Sequence, residues 1–173
     1  MQRKTLKTHF AMKKALLTTL ITLLVCCAMS AQTAPAKVYD ETIDPMTQID
    51  QAVAQAKAEG KFVICQVGGN WCPWCLRFAK FITDDETISQ TIKENFVYIH
   101  VNYHPRKSGE AGTAMLKRLG KTGRFGYPVL VVLDGEGKVV HIQDSALLEE
   151  DKSYNQTKVL NFFKHWTPKA VNP

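Results

Sequence analysis

The chain has 173 residues, enough for one domain with a hydrophobic core but short for two. A composition of 45% hydrophobic and 22% charged residues excludes a wholly disordered chain. The formal charge of +6 arises mainly in residues 1–30, which contain five of the 22 basic residues and no acid, leaving 17 basic against 16 acidic residues elsewhere. This near-neutral remainder argues against a nucleic-acid-binding protein.

The first 30 residues have the order of a secretory signal peptide. A basic stretch ends at Lys14, an apolar run covers 15–29, and small residues follow. Because this run is shorter than the roughly 20 residues that span a bilayer, we expect cleavage after Ser30 or Ala31 rather than an uncleaved anchor. The protein is therefore expected to be exported, to a bacterial periplasm, with secreted or membrane-tethered forms as alternatives. Lipid attachment at Cys26 or Cys27 is a further alternative, disfavoured by the residues that precede them.

Residues 31–44 are small, polar and proline-containing, which predicts a linker before a single domain over 45–167 and a tail over 168–173. Asp44 and the proline after it are typical of the start of a helix. The stretch TDDE, residues 83–86, predicts a capping box in which Thr83 caps the next helix and Glu86 reaches back.

Apolar runs and helical spacing predict alternating helices and strands. Helices are expected over about 45–59, 72–82, 111–119 and 155–166, with one more after the capping box, and strands over 61–67, 96–102, 127–134 and 138–144. Strands separated by helices imply a parallel βαβ unit, and the DGEGK turn implies a late antiparallel hairpin. The predicted fold class is therefore α/β.

Signal cleavage would leave three cysteines, Cys65, Cys72 and Cys75, which is not a disulfide framework. Cys65 lies on a predicted strand and is expected to be a small buried apolar residue. Cys72 and Cys75 belong to GGNWCPWCLRF, residues 68–78, where a buried strand gives way to a helix.

A cysteine at that junction faces free backbone N–H groups and the positive end of the helix dipole, which favour thiolate over thiol. Cys72 is thus the predicted nucleophile, and Cys75, one turn later, the resolving thiol. Pro73 suits the first helical turn, where a missing N–H costs nothing.

The strand followed by Trp-Cys-x-x-Cys at a helix start resembles the thioredoxin-like superfamily, and so does Tyr127-Pro128 before a strand and hairpin in GYPVLVVLDGEGKVV. The resemblance covers about residues 45–167. It implies a thioredoxin fold, with a central mixed sheet of about four strands flanked by helices and an N-terminal helical extension. It also implies a thiol:disulfide oxidoreductase, an enzyme whose Cys72–Cys75 pair is a redox-active disulfide and which needs no cofactor and no metal.

The same resemblance implies the substrate-binding residues. Pro128 would be cis and line the groove that docks an extended substrate segment, and Tyr127 would offer its backbone to that segment. Trp71, Pro73 and Trp74 would form the surrounding surface, with Trp74 exposed beside Cys72. The alternatives are a trans proline at an edge strand and a Trp74 that only shields the disulfide.

Two departures from the family pattern bear on the direction of electron flow. Gln66 stands six residues before Cys72, where thioredoxin has a buried aspartate, so that base is missing. Pro73 and Trp74 between the cysteines supply no histidine to stabilise a thiolate. We therefore expect a mild reductase or isomerase rather than a strong oxidase. Arg77, in the first turns of the helix, is expected to be a solvated cation.

Three alternatives stay open at this point. Cys72 and Cys75 with His100 and His104 supply the donors of a Cys2His2 zinc site, although the spacing exceeds the usual range. The pair could also form a structural disulfide over a short loop. A thioredoxin fold can, finally, bind clients without catalysis. For the oxidoreductase we expect disulfide-containing protein substrates, a separate redox partner, no nucleic acid, membrane contact only through the leader or a lipid, and a monomer.

Overall fold

The structure is a computed structural model and describes residues 37–172. The helices are α1 (Pro45–Glu59), α2 (Pro73–Asp84), α3 (Glu86–Asn95), α4 (Gly109–Arg118), α5 (Gln156–His165) and α6 (Pro168–Val171). The strands are β1 (Phe62–Gly68), β2 (Phe96–Asn102), β3 (Val129–Leu133), β4 (Val139–Asp144), β5 (Glu149–Glu150) and β6 (Ser153–Tyr154).

The central sheet has four strands in the order β2-β1-β3-β4. Strand β1 runs parallel to β2 and antiparallel to β3, and β3 pairs antiparallel with β4. The predicted mixed sheet flanked by helices, with a helix at its N-terminal side, is confirmed. Strands β5 and β6 form a separate two-stranded pair that the sequence did not predict, because two residues are too few for a periodic pattern.

Both faces of the sheet are covered, which explains why every residue of β1 is buried. On one face, Ile64 packs with Phe78 of α2 and Phe163 of α5. On the other, Val63 packs with Ile49 of α1 and Met115 of α4. Alternate residues of β1 therefore point to different helical layers, and its C-terminal end leads directly to α2.

The turn between α2 and α3 differs from the predicted capping box. The chain stays helical through Asp84, so Thr83 lies inside α2 and its hydroxyl donates to the Ala79 carbonyl oxygen at 2.8 Å. Asp85 caps α3 instead, and its carboxylate accepts the Ile88 N–H at 2.9 Å. The prediction was wrong because it placed the helix end two residues too early.

Folded segments lie on both sides of residues 45–167. Residues 37–43, here called the strap, fall in the predicted linker, yet Tyr39 is fully buried within the compact unit that begins at Lys37. The predicted tail begins with α6, where Thr167 caps the helix by accepting the Ala170 N–H. Among residues 37–172, no helix has both the length and the apolar character needed to cross a bilayer.

Candidate active site

Cys72 and Cys75 form a disulfide at the start of α2, with their Cα atoms 5.2 Å apart. Cys72 is the N-cap residue, and its Sγ accepts the Cys75 N–H at 3.2 Å. Cys72 is 5% exposed and Cys75 is 0% exposed. An incoming sulfur therefore meets Cys72 first, and the backbone N–H is already placed to stabilise negative charge on it.

The last residue of β1 allows this disulfide to pack against the strand. A Cβ atom built on Gly68 would overlap Cys75 Sγ and would lie 3.1 Å from the Tyr39 hydroxyl oxygen. Glycine is therefore required at this position for a close approach rather than for an unusual backbone conformation.

The predicted Tyr127-Pro128 pair lies beside the disulfide. The peptide bond between these residues is cis, and the Tyr127 carbonyl oxygen is 3.4 Å from Cys72 Sγ. The Tyr127 ring packs edge-on against Trp71, with 5.6 Å between ring centroids. The fold thus brings residues 55 positions apart in the chain to one surface around the reactive sulfur.

The two tryptophans next to the cysteines differ in their surroundings. Trp71 is 43% exposed, and its Nε1 donates to the Tyr103 carbonyl oxygen at 2.8 Å. Trp74 was expected to be exposed but is only partly so, because its ring packs edge-on against Tyr154. The guanidinium of the exposed Arg77 lies 4.5 Å from the centroid of the Trp74 ring. Pro73 is exposed at the first position of α2.

A buried polar network lies behind Cys75 and centres on Gln66. Its Nε2 donates to the Tyr39 hydroxyl oxygen and to the Cys75 carbonyl oxygen, and its Oε1 accepts the Tyr98 hydroxyl at 2.6 Å. Apart from tyrosines and cysteines, the buried polar side chains in the part of the chain that the structure describes are Gln66, Thr122 and Ser145, and none carries a charge. The site therefore has an amide where a proton-accepting acid would otherwise lie.

Tyr39 and Tyr98 hold their protons. Burial raises the pKa of Tyr39 and of Tyr98 well above the usual value for a phenol, which keeps both hydroxyls neutral. Sequence reasoning missed both residues. Tyr98 lies in an apolar strand pattern, where its sequence position looks like that of any core residue. Tyr39 lies in a segment whose composition predicts a linker, and a lone aromatic residue is the only sequence signal there.

The side chains proposed for a zinc site do not converge. His100 packs between Tyr39 and Tyr98, with ring centroids 5.2 and 5.3 Å away. His104 instead packs against Trp71, with 5.3 Å between ring centroids. Residues 37–172 contain no group of three or more His, Cys, Asp or Glu side chains able to hold a metal ion together.

Cys65 is separate from this chemistry. It lies on the face of β1 that packs against α1 and α4, and it is fully buried and not disulfide-bonded. Burial raises the pKa of its thiol to about 12, so it stays protonated. This agrees with the predicted role as a small apolar residue.

A βαβ unit extended by an antiparallel hairpin, with a Cys-x-x-Cys disulfide at the start of the helix after β1, defines a thioredoxin-fold protein of the disulfide oxidoreductase type. The family model described as thioredoxin-like matches residues 44–135, more than half of the chain, and the chain belongs to this family.

Two curated relatives are the thiol:disulfide interchange proteins DsbD of Salmonella paratyphi A and Salmonella typhi, each 30% identical over 109 residues. The matches cover 63% of this chain and 18% of each relative, so the chain spans less than a fifth of their length. A solved structure, the disulphide isomerase from Xylella fastidiosa Temecula1, superposes with a TM-score of 0.61 at 24% identity and covers 78% of this chain and 97% of that chain. This likeness concerns the fold.

Proposed function

We propose that the protein is a thiol:disulfide oxidoreductase that exchanges disulfides with protein substrates, as a reductase or an isomerase. The observation that carries the proposal is the asymmetry of the cysteine pair. Cys72 caps α2, accepts a backbone N–H and lies 3.4 Å from the Tyr127 carbonyl oxygen, whereas Cys75 is wholly buried behind it. One sulfur is placed to meet a substrate and the other to resolve the product.

The reaction begins with reduced Cys72 as thiolate. It attacks one sulfur of a substrate disulfide, a mixed disulfide forms, and the second substrate sulfur leaves as a thiolate that takes up a proton. Cys75 then loses its proton and attacks Cys72 Sγ, the bond to the substrate breaks, and the first substrate sulfur leaves and is protonated. The substrate has gained two electrons and two protons, and Cys72–Cys75 is a disulfide again.

The substrate segment is proposed to dock along Tyr127 and Pro128, with the backbone of Tyr127 as its hydrogen-bonding partner. The surface formed by Trp71, Pro73 and Trp74 would contact the side chains around the substrate disulfide. Support comes from the position of these residues around Cys72 and from the exposure of Trp71, a large amphipathic side chain of the kind enriched where proteins bind peptides.

The proposed compartment is an exported one, periplasmic in a bacterium. This proposal rests on the leader, which lies outside the described residues. In an oxidising compartment the Cys72–Cys75 disulfide re-forms, so a reductase there needs a dithiol protein as electron donor. The mature chain is expected to begin at Ala31 or Gln32, which N-terminal sequencing of exported protein would establish.

The decisive assay is reduction of insulin disulfides by the mature protein with dithiothreitol as electron donor. Wild type should accelerate insulin precipitation, Cys72→Ser should abolish the acceleration, and Cys75→Ser should accumulate mixed disulfides through Cys72. Cys65→Ala is the matched control, because Cys65 lies on the face of β1 that packs against α1 and α4, whereas α2 packs against the other face.

Equal rates for wild type and Cys72→Ser would contradict the proposal and favour a client-binding module. Stoichiometric zinc on purified wild type, lost in Cys72→Ser, would favour a metal site instead.

A further inference from the structure

The strap is fastened to the turn before Cys72 by one side chain. Asn70 Oδ1 accepts the backbone N–H groups of Val38 and Tyr39, both at 3.0 Å. Asn70 Nδ2 donates back to the Tyr39 carbonyl oxygen at 2.8 Å and to Glu41 at 3.1 Å. Asn70 lies two residues before the reactive cysteine, so the strap and the active-site turn are positioned together.

This attachment places the Tyr39 side chain beside the resolving cysteine. Tyr39, Cys72 and Cys75 form one buried cluster. The space above Gly68 is bounded by both the Tyr39 hydroxyl oxygen and Cys75 Sγ, since a Cβ atom there would lie 3.1 Å from the first and overlap the second.

The direction of the Gln66 hydrogen bond decides what the Tyr39 hydroxyl can do. Gln66 Nε2 is a donor, so it occupies a lone pair of the phenol oxygen and leaves the phenol proton free to be donated elsewhere. Within the described residues, no hydrogen bond uses that proton. A sulfur in a disulfide is a weak acceptor, whereas a thiolate is a strong one.

We propose that Tyr39 donates its hydroxyl proton in a hydrogen bond to the Cys75 sulfur once the disulfide is reduced, and thereby stabilises the Cys75 thiolate that resolves the mixed disulfide. Asn70 is a positioning residue that acts through the strap. The inference rests on the proposed exchange reaction. In that reaction, the neutral Tyr39 hydroxyl would act as the hydrogen-bond donor to Cys75, because the buried network around Gln66 contains no acid.

No net proton transfer to Tyr39 is required. The Cys75 proton leaves to the departing substrate thiolate, and Tyr39 keeps its own proton while donating the hydrogen bond. Burial raises the pKa of Tyr39, so the phenol stays neutral throughout. The titratable groups around Cys75 and Tyr39 are Cys72 at the start of α2, Tyr127 before β3, Tyr98 and His100 of β2, and Tyr154 of β6. The nearby charged side chains are Glu41, which accepts from Asn70, and Arg77, which lies over the Trp74 ring.

The test is a pH titration of Cys75 in the full mature chain, followed by the 13Cβ chemical shift of labelled cysteine. The chain carries Cys72→Ala, which removes the coupling between the two thiols. Adding Tyr39→Phe keeps the ring and removes the hydroxyl. In the Tyr39→Phe variant, we expect the titration midpoint of Cys75 to move to higher pH. At a given pH below the midpoint, the thiolate fraction should be about tenfold smaller, because one hydrogen bond to a charged group is lost. Asn70→Ala should move the midpoint in the same direction.

Tyr154→Phe is the matched control, because Tyr154 is a buried tyrosine whose hydroxyl already donates to the Trp74 carbonyl oxygen at 3.2 Å. It should leave the Cys75 midpoint in place. An unchanged midpoint with Tyr39→Phe, or an equal shift with Tyr154→Phe, would overturn the inference. If Tyr39→Phe does not fold, the Asn70→Ala titration decides: a midpoint at higher pH would support the inference, and an unchanged midpoint would overturn it.

The titration needs no enzymatic turnover, so it separates this inference from the proposed function. An inactive wild type in the insulin assay with an intact Tyr39 effect would refute the exchange function alone. An active wild type with no Tyr39 effect would refute the hydrogen bond alone. With Cys72 present, Tyr39→Phe should also slow resolution of a Cys72 mixed disulfide about tenfold at neutral pH.

Discussion

Gln66 Nε2 donates a 3.0 Å hydrogen bond to the carbonyl oxygen of Cys75, which ties the centre of the sheet to the first turn of α2. The same amide also contacts Tyr39 and Tyr98, so both of its N–H groups and its oxygen make hydrogen bonds. An uncharged side chain can fill this position without the cost of burying a charge. Its role here is to fix the resolving cysteine in place, while proton movement depends on other groups.

Gln66→Leu is expected to destabilise the oxidised protein by about 2–4 kcal/mol. The substitution removes the Gln66 partner of the Tyr39 and Tyr98 hydroxyls, at about 1–3 kcal/mol each. Urea denaturation followed by circular dichroism measures the change. Gln90→Leu is the control, because Gln90 is exposed on α3 and its side chain donates to the exposed Glu94. It should change stability by less than about 0.5 kcal/mol. Equal effects at the two positions would show that the network contributes no stability.

Gly68→Ala is expected to impair both stability and disulfide exchange. The new methyl group would occupy the place of Cys75 Sγ, and overpacking of this kind costs about 1–3 kcal/mol. The fraction of protein with the Cys72–Cys75 disulfide after air oxidation, counted by mass spectrometry, should fall along with the insulin reduction rate. Gly126→Ala is the matched control, since a Cβ there meets nothing within 4 Å. Wild-type behaviour of Gly68→Ala would mean that the disulfide can shift away from the strand.

The regular elements were predictable because burial imposes a period on the sequence. Apart from Gln66, strand β1 is a run of apolar residues and glycine, because helices cover both faces of the sheet. The pattern of α5 repeats at helical spacing because one side of this helix meets the core. Thr83 shows the limit of local reasoning. It matches a capping motif, but packing of α2 extends the helix past it and moves the cap to Asp85.

The chemistry of the site was predictable only in part. Cys72 and Cys75 are identified by a local motif, and their strand-to-helix setting follows from the neighbouring sequence. Tyr39 is different, because its place behind Cys75 depends on Asn70, which binds the strap from 31 residues away. A single contact between distant residues produces no periodic pattern in the sequence, so it could not be predicted.

His100 is expected to make the protein less stable as the pH falls from about 6.5 to 4. Burial lowers its pKa from 6.5 to about 4, and its Nε2 is buried without a hydrogen-bond partner among residues 37–172. The unfolded chain therefore binds a proton in this range that the folded protein does not, so stability is full above 6.5 and declines below it. The contribution is about 2–3 kcal/mol, reached near pH 4.

His100→Phe keeps a ring against Tyr39 and Tyr98 and removes the titrating group. Free energies of unfolding from urea curves at several pH values should fall less steeply between 6.5 and 4 for His100→Phe than for wild type. Parallel curves for the two proteins would show that this histidine does not titrate on unfolding in that range.

The reduction potential of Cys72–Cys75 is expected to lie between about −270 and −180 mV, the range from thioredoxin to protein disulfide isomerase. Cys72 receives one backbone N–H and the helix dipole, but no histidine lies between the cysteines and Arg77 lies over the Trp74 ring. Trp74→His should raise the potential by about 30 mV, because a cation beside Cys72 stabilises the reduced form about tenfold. Trp74→Phe, which adds no cation, is the control. The potentials of the three proteins are measured by equilibration with glutathione buffers, with the dithiol fraction counted after alkylation. A wild-type potential of about −120 mV would contradict the prediction and indicate an oxidase.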